Sequence, residues 1–288
     1  MVRKVGSGHA NEQAKLIEKM LAFHIEGKST EAGRLATHLQ REVDEGRCGM
    51  DAEQVDQLLL KAARLMYPEP TAARRLEEGE GPGDVLVRAE PDEWIEVKAQ
   101  TKKGWPSGEA TASQLTEADW VREGCHALRY LRANDASFES CLDDQAKAMI
   151  GSASSTMRDW SFTECWLADI AALRSMRSLK DAGITTPDQL REWISRKQFF
   201  LLDRSGALFG PLSKIPAVAY ALGGGTVNYR LKDNKGSLAA VQVFWQGTGN
   251  PGKVDFTYHV YSRHGRHKLH KSALPLAELS SVPTSPVG

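Results

Sequence analysis

The chain has 288 residues, 41% of them hydrophobic and 26% charged, enough for a full core in one large or two small domains. Lysine plus arginine and aspartate plus glutamate are each 37, so the formal net charge is zero, which leaves nucleic-acid binding to local patches and not to the global charge. No apolar run reaches the ~18 residues of a membrane span, the opening MVRKVGSGHANEQ carries no signal-peptide stretch, and no two of the four cysteines form a CxxC pair. The expectation is a soluble, cytoplasmic protein with reduced thiols and no membrane contact.

Residues 10–66 read as three helices. Leu16, Ile17, Met20 and Leu21 recur at helical spacing up to Gly27. Thr30 and Glu31 open a second helix carried by Leu35, Leu39 and Val43 and closed at Gly46. Asp51 opens a third, with Val55, Leu58, Leu59, Ala62 and Leu65, stopped by Pro68 and Pro70. Residues 77–83 (EEGEGPG) read as loop. The period then changes from 3.6 to 2, with strands at Val85–Val87 and Trp94–Val97 around a turn at Glu90-Pro91-Asp92. Helical periodicity returns at 113–133, 139–150, 161–181 and 187–196. Strands follow at Phe199–Leu202, Val227–Leu231, Leu238–Trp245 and Val254–Tyr261, with turn residues at 233–236 and 247–252. The last residues, SSVPTSPVG, read as a disordered polar tail. This divides the chain into residues 1–135, helices plus the hairpin; 136–196, helical; and 197–288, β-rich and basic. The fold class is mixed α/β.

The chemistry lies in GPGDVLVRAEPDEWIEVKAQTKK, residues 81–103. Side chains alternate along a strand, so Ile95 and Val97 share one face while Glu96 and Lys98 share the other. A three-residue turn pairing Ala89 with Glu93 brings Asp84 opposite Lys98 and sets Val85 and Val87 with Ile95 and Val97 on the core face. Two carboxylates and an ammonium then meet at one end of a hairpin. Adjacent carboxylates repel unless a hard divalent cation sits between them, and Mg²⁺ takes oxygen ligands while keeping waters for a phosphate and a nucleophile. Lys98 can orient or deprotonate that water and stabilise charge on the phosphate. Removing either carboxylate is expected to leave the fold intact. The plain alternative is a solvated hairpin with a surface Glu–Lys pair.

Pro82-Gly83-Asp84 followed by Glu96-Val97-Lys98 resembles the two half-motifs of the PD-(D/E)xK nuclease superfamily, which includes many restriction endonucleases and repair nucleases. The resemblance covers residues 80–103. It implies a restriction-endonuclease-like core in which Asp84 and Glu96 bind Mg²⁺ and Lys98 assists the nucleophile. It also implies a strand before the hairpin, where residues 71–80 show little strand pattern, and a fourth core strand after the next helix, for which Phe199–Leu202 is the first strong segment. Many members add a glutamate from a preceding helix; Glu18, Glu42 and Glu53 are all available for that role. Glu26-Gly27-Lys28 and Asp233-Asn234-Lys235 also fit (D/E)xK, but the first has a helix-ending glycine at its centre and the second sits in a turn.

Lys102 and Lys103 continue from the active strand towards the path of a scissile strand. Arg263, Arg266, Lys268 and Lys271 crowd into RHGRHKLHK, where phosphate contacts would give salt-dependent affinity. His264, His267 and His270 do not share a strand face, which argues against zinc. Gly223-Gly224-Gly225 lacks the frame of a phosphate loop and reads as a hinge. Trp160, Trp166 and Trp193 read as core or interface. The expected function is Mg²⁺-dependent endonucleolytic cleavage of DNA in restriction or defence, the simplest arrangement for cutting both strands being a homodimer. A repair or recombination nuclease and a non-catalytic DNA-binding module are the alternatives.

Overall fold

The computed structural model describes residues 8–46, 48–77, 80, 83–100, 126–151, 159–171, 183–204, 206–233, 238–245, 256–259 and 280–283. Nine helices lie within them: α1 Gly8–Ile25, α2 Ser29–Asp44, α3 Ala52–Met66, α4 His126–Asn134, α5 Ala136–Cys141, α6 Asp144–Ile150, α7 Phe162–Ile170, α8 Pro187–Ser195 and α9 Pro216–Leu222. The strands are β1 Ala73–Arg75, β2 Val85–Val87, β3 Glu93–Gln100, β4 Lys197–Asp203, β5 Gly206–Pro211, β6 Val227–Asp233, β7 Leu238–Trp245, β8 Phe256–His259 and β9 Ser280–Pro283. The class is mixed α/β, as expected. Among the described residues no helix is long and apolar enough to cross a membrane.

Helix α3 shows why the N-terminal helices form where they do. The Asp51 carboxylate accepts the Gln54 N–H at 3.0 Å, satisfying an end donor in a contact worth roughly 1 kcal/mol. Val55, Leu58, Leu59, Ala62 and Ala63 recur three and four residues apart and are all buried. They meet Ile17, Met20, Leu21 and Leu39 from α1 and α2 in one apolar cluster.

That cluster continues onto a six-stranded sheet of order β1-β2-β3-β4-β5-β9. Every pairing is antiparallel except β3 with β4, which is parallel. Parallel neighbours require a long crossover, supplied here by the chain between Gln100 and Lys197. Val85, Val87, Ile95, Val97, Phe200 and Leu202 face the helices and are buried. Fully burying each such side chain stabilises the fold by about 1.5–3 kcal/mol. The other face carries Trp94, Glu96 and Lys98 on β3 beside Lys197, Phe199 and Leu201 on β4.

Three local expectations are corrected. Residues 73–75 do form a strand, because β2 offers an edge and pairs Ala73 with Val87. The tail segment Ser280–Pro283 is no disordered piece but an edge strand on β5. Gly223–Gly225 is the close of α9 and not a hinge: the Gly223 N–H reaches the Ala219 carbonyl at 3.0 Å and the Gly225 N–H the Tyr220 carbonyl at 2.9 Å.

Two compact units result. α1–α3, β1–β5 and β9 make the first, so strands that the sequence groups with the C-terminal part complete the hairpin's sheet. The second holds α4–α9 and the antiparallel sheet β6-β7-β8. In it the buried Asp169 carboxylate accepts the His126 and Ala127 N–H groups at 2.7 and 2.9 Å, fixing the start of α4. Trp160, Trp166 and Trp193 are buried, as their sequence setting suggests.

Candidate active site

Asp84 is held from three directions just before β2. Its N–H donates to the Ile95 carbonyl at 2.9 Å and its own carbonyl accepts from Leu76 at 2.8 Å. Its side-chain Oδ2 accepts the Val97 N–H at 2.8 Å, while Oδ1 has no partner among the described residues. Gly83 permits this close approach, since a Cβ there would sit 3.1 Å from both the Ile95 carbonyl oxygen and the Trp94 Cβ.

The hairpin register differs from the expected one. Val87 pairs with Glu93 and Val85 with Ile95, leaving residues 88–92 as a five-residue loop. The Arg88 N–H goes to the Ala72 carbonyl at 2.7 Å, and the Arg88 and Asp92 side chains close the loop as an ion pair. Pairing therefore stops at Val87. A slip of two residues preserves the faces, so Val85, Val87, Ile95 and Val97 stay on the core side as expected. It moves Asp84 level with Glu96 instead of Lys98.

Glu96 is buried, with only 6% of its surface exposed, and is not part of a solvated surface pair. Two ammonium groups hold its carboxylate. Lys98 Nζ donates to Oε1 at 2.6 Å, and Lys197 Nζ donates to Oε2 at 3.0 Å. Lys197 sits opposite Trp94 on the parallel strand β4, and its stem runs along the shared face to Glu96. Burial lowers the Lys197 pKa, and Glu96 opposes that shift. Burial first, then the Glu96 charge, raises the Asp84 pKa, while Lys98 and the Val97 N–H pull it down.

Glu18 joins from α1. It accepts from Arg75 Nε at 2.8 Å, and Arg75 also donates to Glu77 at 2.7 Å. Burial, followed by the charge of Asp84, pushes the Glu18 carboxyl up to about 7. Of the three helical glutamates open from sequence, Glu18 is the one the fold sets beside Asp84. Glu18, Asp84 and Glu96 thus gather with Arg75, Lys98 and Lys197, and Arg75 is shared with the more exposed Glu77.

Asp84, Glu96 and Lys98 are brought together as the motif implies. Lys102, Lys103, Arg263, Arg266, Lys268 and Lys271 lie outside the described residues. Sequence reasoning missed Lys197 and Arg75. The available signal for Lys197 was its parity with Phe199 and Leu201 on a strand apolar on both faces, where a lysine is uncommon unless paired.

Among the described residues no three His, Cys, Asp or Glu side chains converge into a metal-holding group. The donors still fit a hard divalent ion: Asp84 has an oxygen with no partner among the described residues, and Glu96 is close enough to raise its pKa. Lys98 is the partner a metal would displace from Glu96, because its side chain is 17% exposed against 1% for Lys197. No family model matches this chain, and comparisons with characterised proteins and with solved structures return no match either.

Proposed function

We propose that the chain is a metal-dependent nuclease with a restriction-endonuclease-like core. Within that class it is a Mg²⁺-dependent endonuclease hydrolysing DNA phosphodiester bonds, a restriction or defence enzyme in preference to a repair or recombination nuclease. The observation that carries the reading is the meeting of Asp84, Glu96 and Lys98 along the middle of β3 with Glu18 arriving from the preceding helix. The strand before the hairpin and the parallel β4 after a helical crossover support the same core.

Asp84 and Glu96 would hold the ion, with Glu18 close to Asp84. Bound Mg²⁺ supplies Lewis-acid polarisation of the phosphoryl group and a water of lowered pKa. The chain's own work is positional and electrostatic. The Val97 N–H fixes Asp84, so the carboxylate does not turn away from the sheet end. Lys98, once off Glu96, offers an ammonium that can hold the attacking water and offset charge growing on the phosphate. Burial keeps these charges in a medium where each interaction is stronger than in water.

A second reading has an observation of its own. Glu96 clamped by two lysines is also what a purely structural ion cluster on a non-catalytic DNA-binding module looks like. Purified protein incubated with supercoiled plasmid separates the two. Nicked and linear DNA in Mg²⁺, none in EDTA, supports the nuclease; unchanged plasmid across divalent ions and salt concentrations supports the binding module.

A further inference from the structure

We infer that the site takes a single divalent ion, with Lys197 as the fixed cation that closes it to a second. This rests on the nuclease reading above and specifies how many ions that site binds. Two-metal sites need acidic oxygens enough to serve both ions, which lie ~3.5–4 Å apart. Here Glu96 Oε2 is committed to Lys197 Nζ at 3.0 Å.

Lys197 is not an exchangeable partner. Its side chain is 1% exposed, and its position on β4 is fixed by a seven-residue parallel register with β3. Moving it off Glu96 would leave the Lys197 ammonium buried without its ion-pair partner, the costly outcome for a buried charge. Lys98 is different, standing at the more open side of the same carboxylate. An incoming ion therefore replaces Lys98 on Oε1 and leaves Lys197 on Oε2.

Local charge bears on the count as well. Glu96 carries both Lys98 and Lys197, while Arg75 is shared between Glu18 and Glu77. One divalent ion adds two positive charges, of which a phosphodiester offsets one. A second ion would face its neighbour and the buried Lys197 ammonium. Lys197 is thus a positioning residue that holds Glu96 and limits the cation count.

The test is Mn²⁺ binding to the full-length protein without DNA, followed by calorimetry and by the free-ion resonance signal. The expected result is one ion per chain that disappears in Asp84→Asn. Lys197→Met keeps most of the stem and removes the charge, so it should bind Mn²⁺ more tightly by about ten-fold or more. Should Lys197→Met not fold, the wild-type stoichiometry still decides. Two Asp84-dependent ions per chain would overturn the inference while leaving the nuclease reading intact, as would unchanged or weaker affinity in folded Lys197→Met. Absence of any Asp84-dependent ion in the wild type would overturn both.

Discussion

Glu96 accepts from two ammonium groups, one of them out of reach of solvent, and this makes the two acidic residues of the site unequal. Glu96→Ala strands the Lys197 ammonium in the interior. Breaking a buried pair in this way costs about 3–5 kcal/mol, so chemical denaturation should show a loss of that order. Asp84→Asn should be near neutral or slightly stabilising, because burial and Glu96 both disfavour the ionised form and the amide oxygen can still accept from Val97. The sequence-based expectation that either removal is harmless is therefore kept as a prediction for Asp84 alone; equal stability of the two variants would contradict the pairing described. Glu18 gives a pH signature. Its carboxyl is raised from 4.5 to about 7, so the folded state binds the proton more tightly than the unfolded state. Its contribution is present in full below 4.5 and is lost as pH rises to about 7, a decline of about 3 kcal/mol in EDTA. Glu18→Gln should flatten stability across that window. A slope unchanged in the variant would mean another group titrates there.

At the level of elements, the β5–β9 pair is the least obvious part of the sheet and gives a direct prediction. Gly206 has φ +145°, and a Cβ there would lie 2.1 Å from the Val282 carbonyl oxygen. Gly206→Ala should lose about 1–3 kcal/mol and release Ser280–Pro283 to limited proteolysis. Protection equal to wild type would argue against the pairing. Why some elements were legible and others not follows from how far their signal extends along the chain. α1, α2 and α3 announce themselves by apolar spacing and by Asp51, Gly27 and Gly46 at their ends. Val85–Val87 and Ile95–Val97 alternate cleanly, so the faces of Asp84, Glu96 and Lys98 were readable. Their exact pairing was not, because hairpin register depends on where Arg88 sends its N–H. β1, β5 and β9 are short, with arginine, glycine or proline in them, and only a neighbouring strand edge makes them strands. Glu18 was one of three candidates until α1 packed on the sheet, and Lys197 acts across 101 positions of sequence.

For the whole molecule, the proposed nuclease reading requires a chain of zero net charge to grip DNA through local patches, and Arg263, Arg266, Lys268 and Lys271 form its densest basic stretch. Each phosphate contact contributes roughly −0.9 to the slope of log affinity against log salt on duplex DNA. Replacing Arg266 and Lys268 together should flatten that slope by about two units, similarly on all sequences, when binding is measured in Ca²⁺. An unchanged slope would place the strip away from DNA. The central claim, that this cluster cleaves phosphodiesters, is tested most directly by single-turnover cleavage of a DNA duplex at saturating protein and Mg²⁺. Wild type should cleave, Asp84→Asn should lose cleavage while staying folded, and Lys98→Ala should still bind DNA but cleave at least about 100-fold more slowly. Cleavage by Asp84→Asn or Lys98→Ala at the wild-type rate would contradict the account.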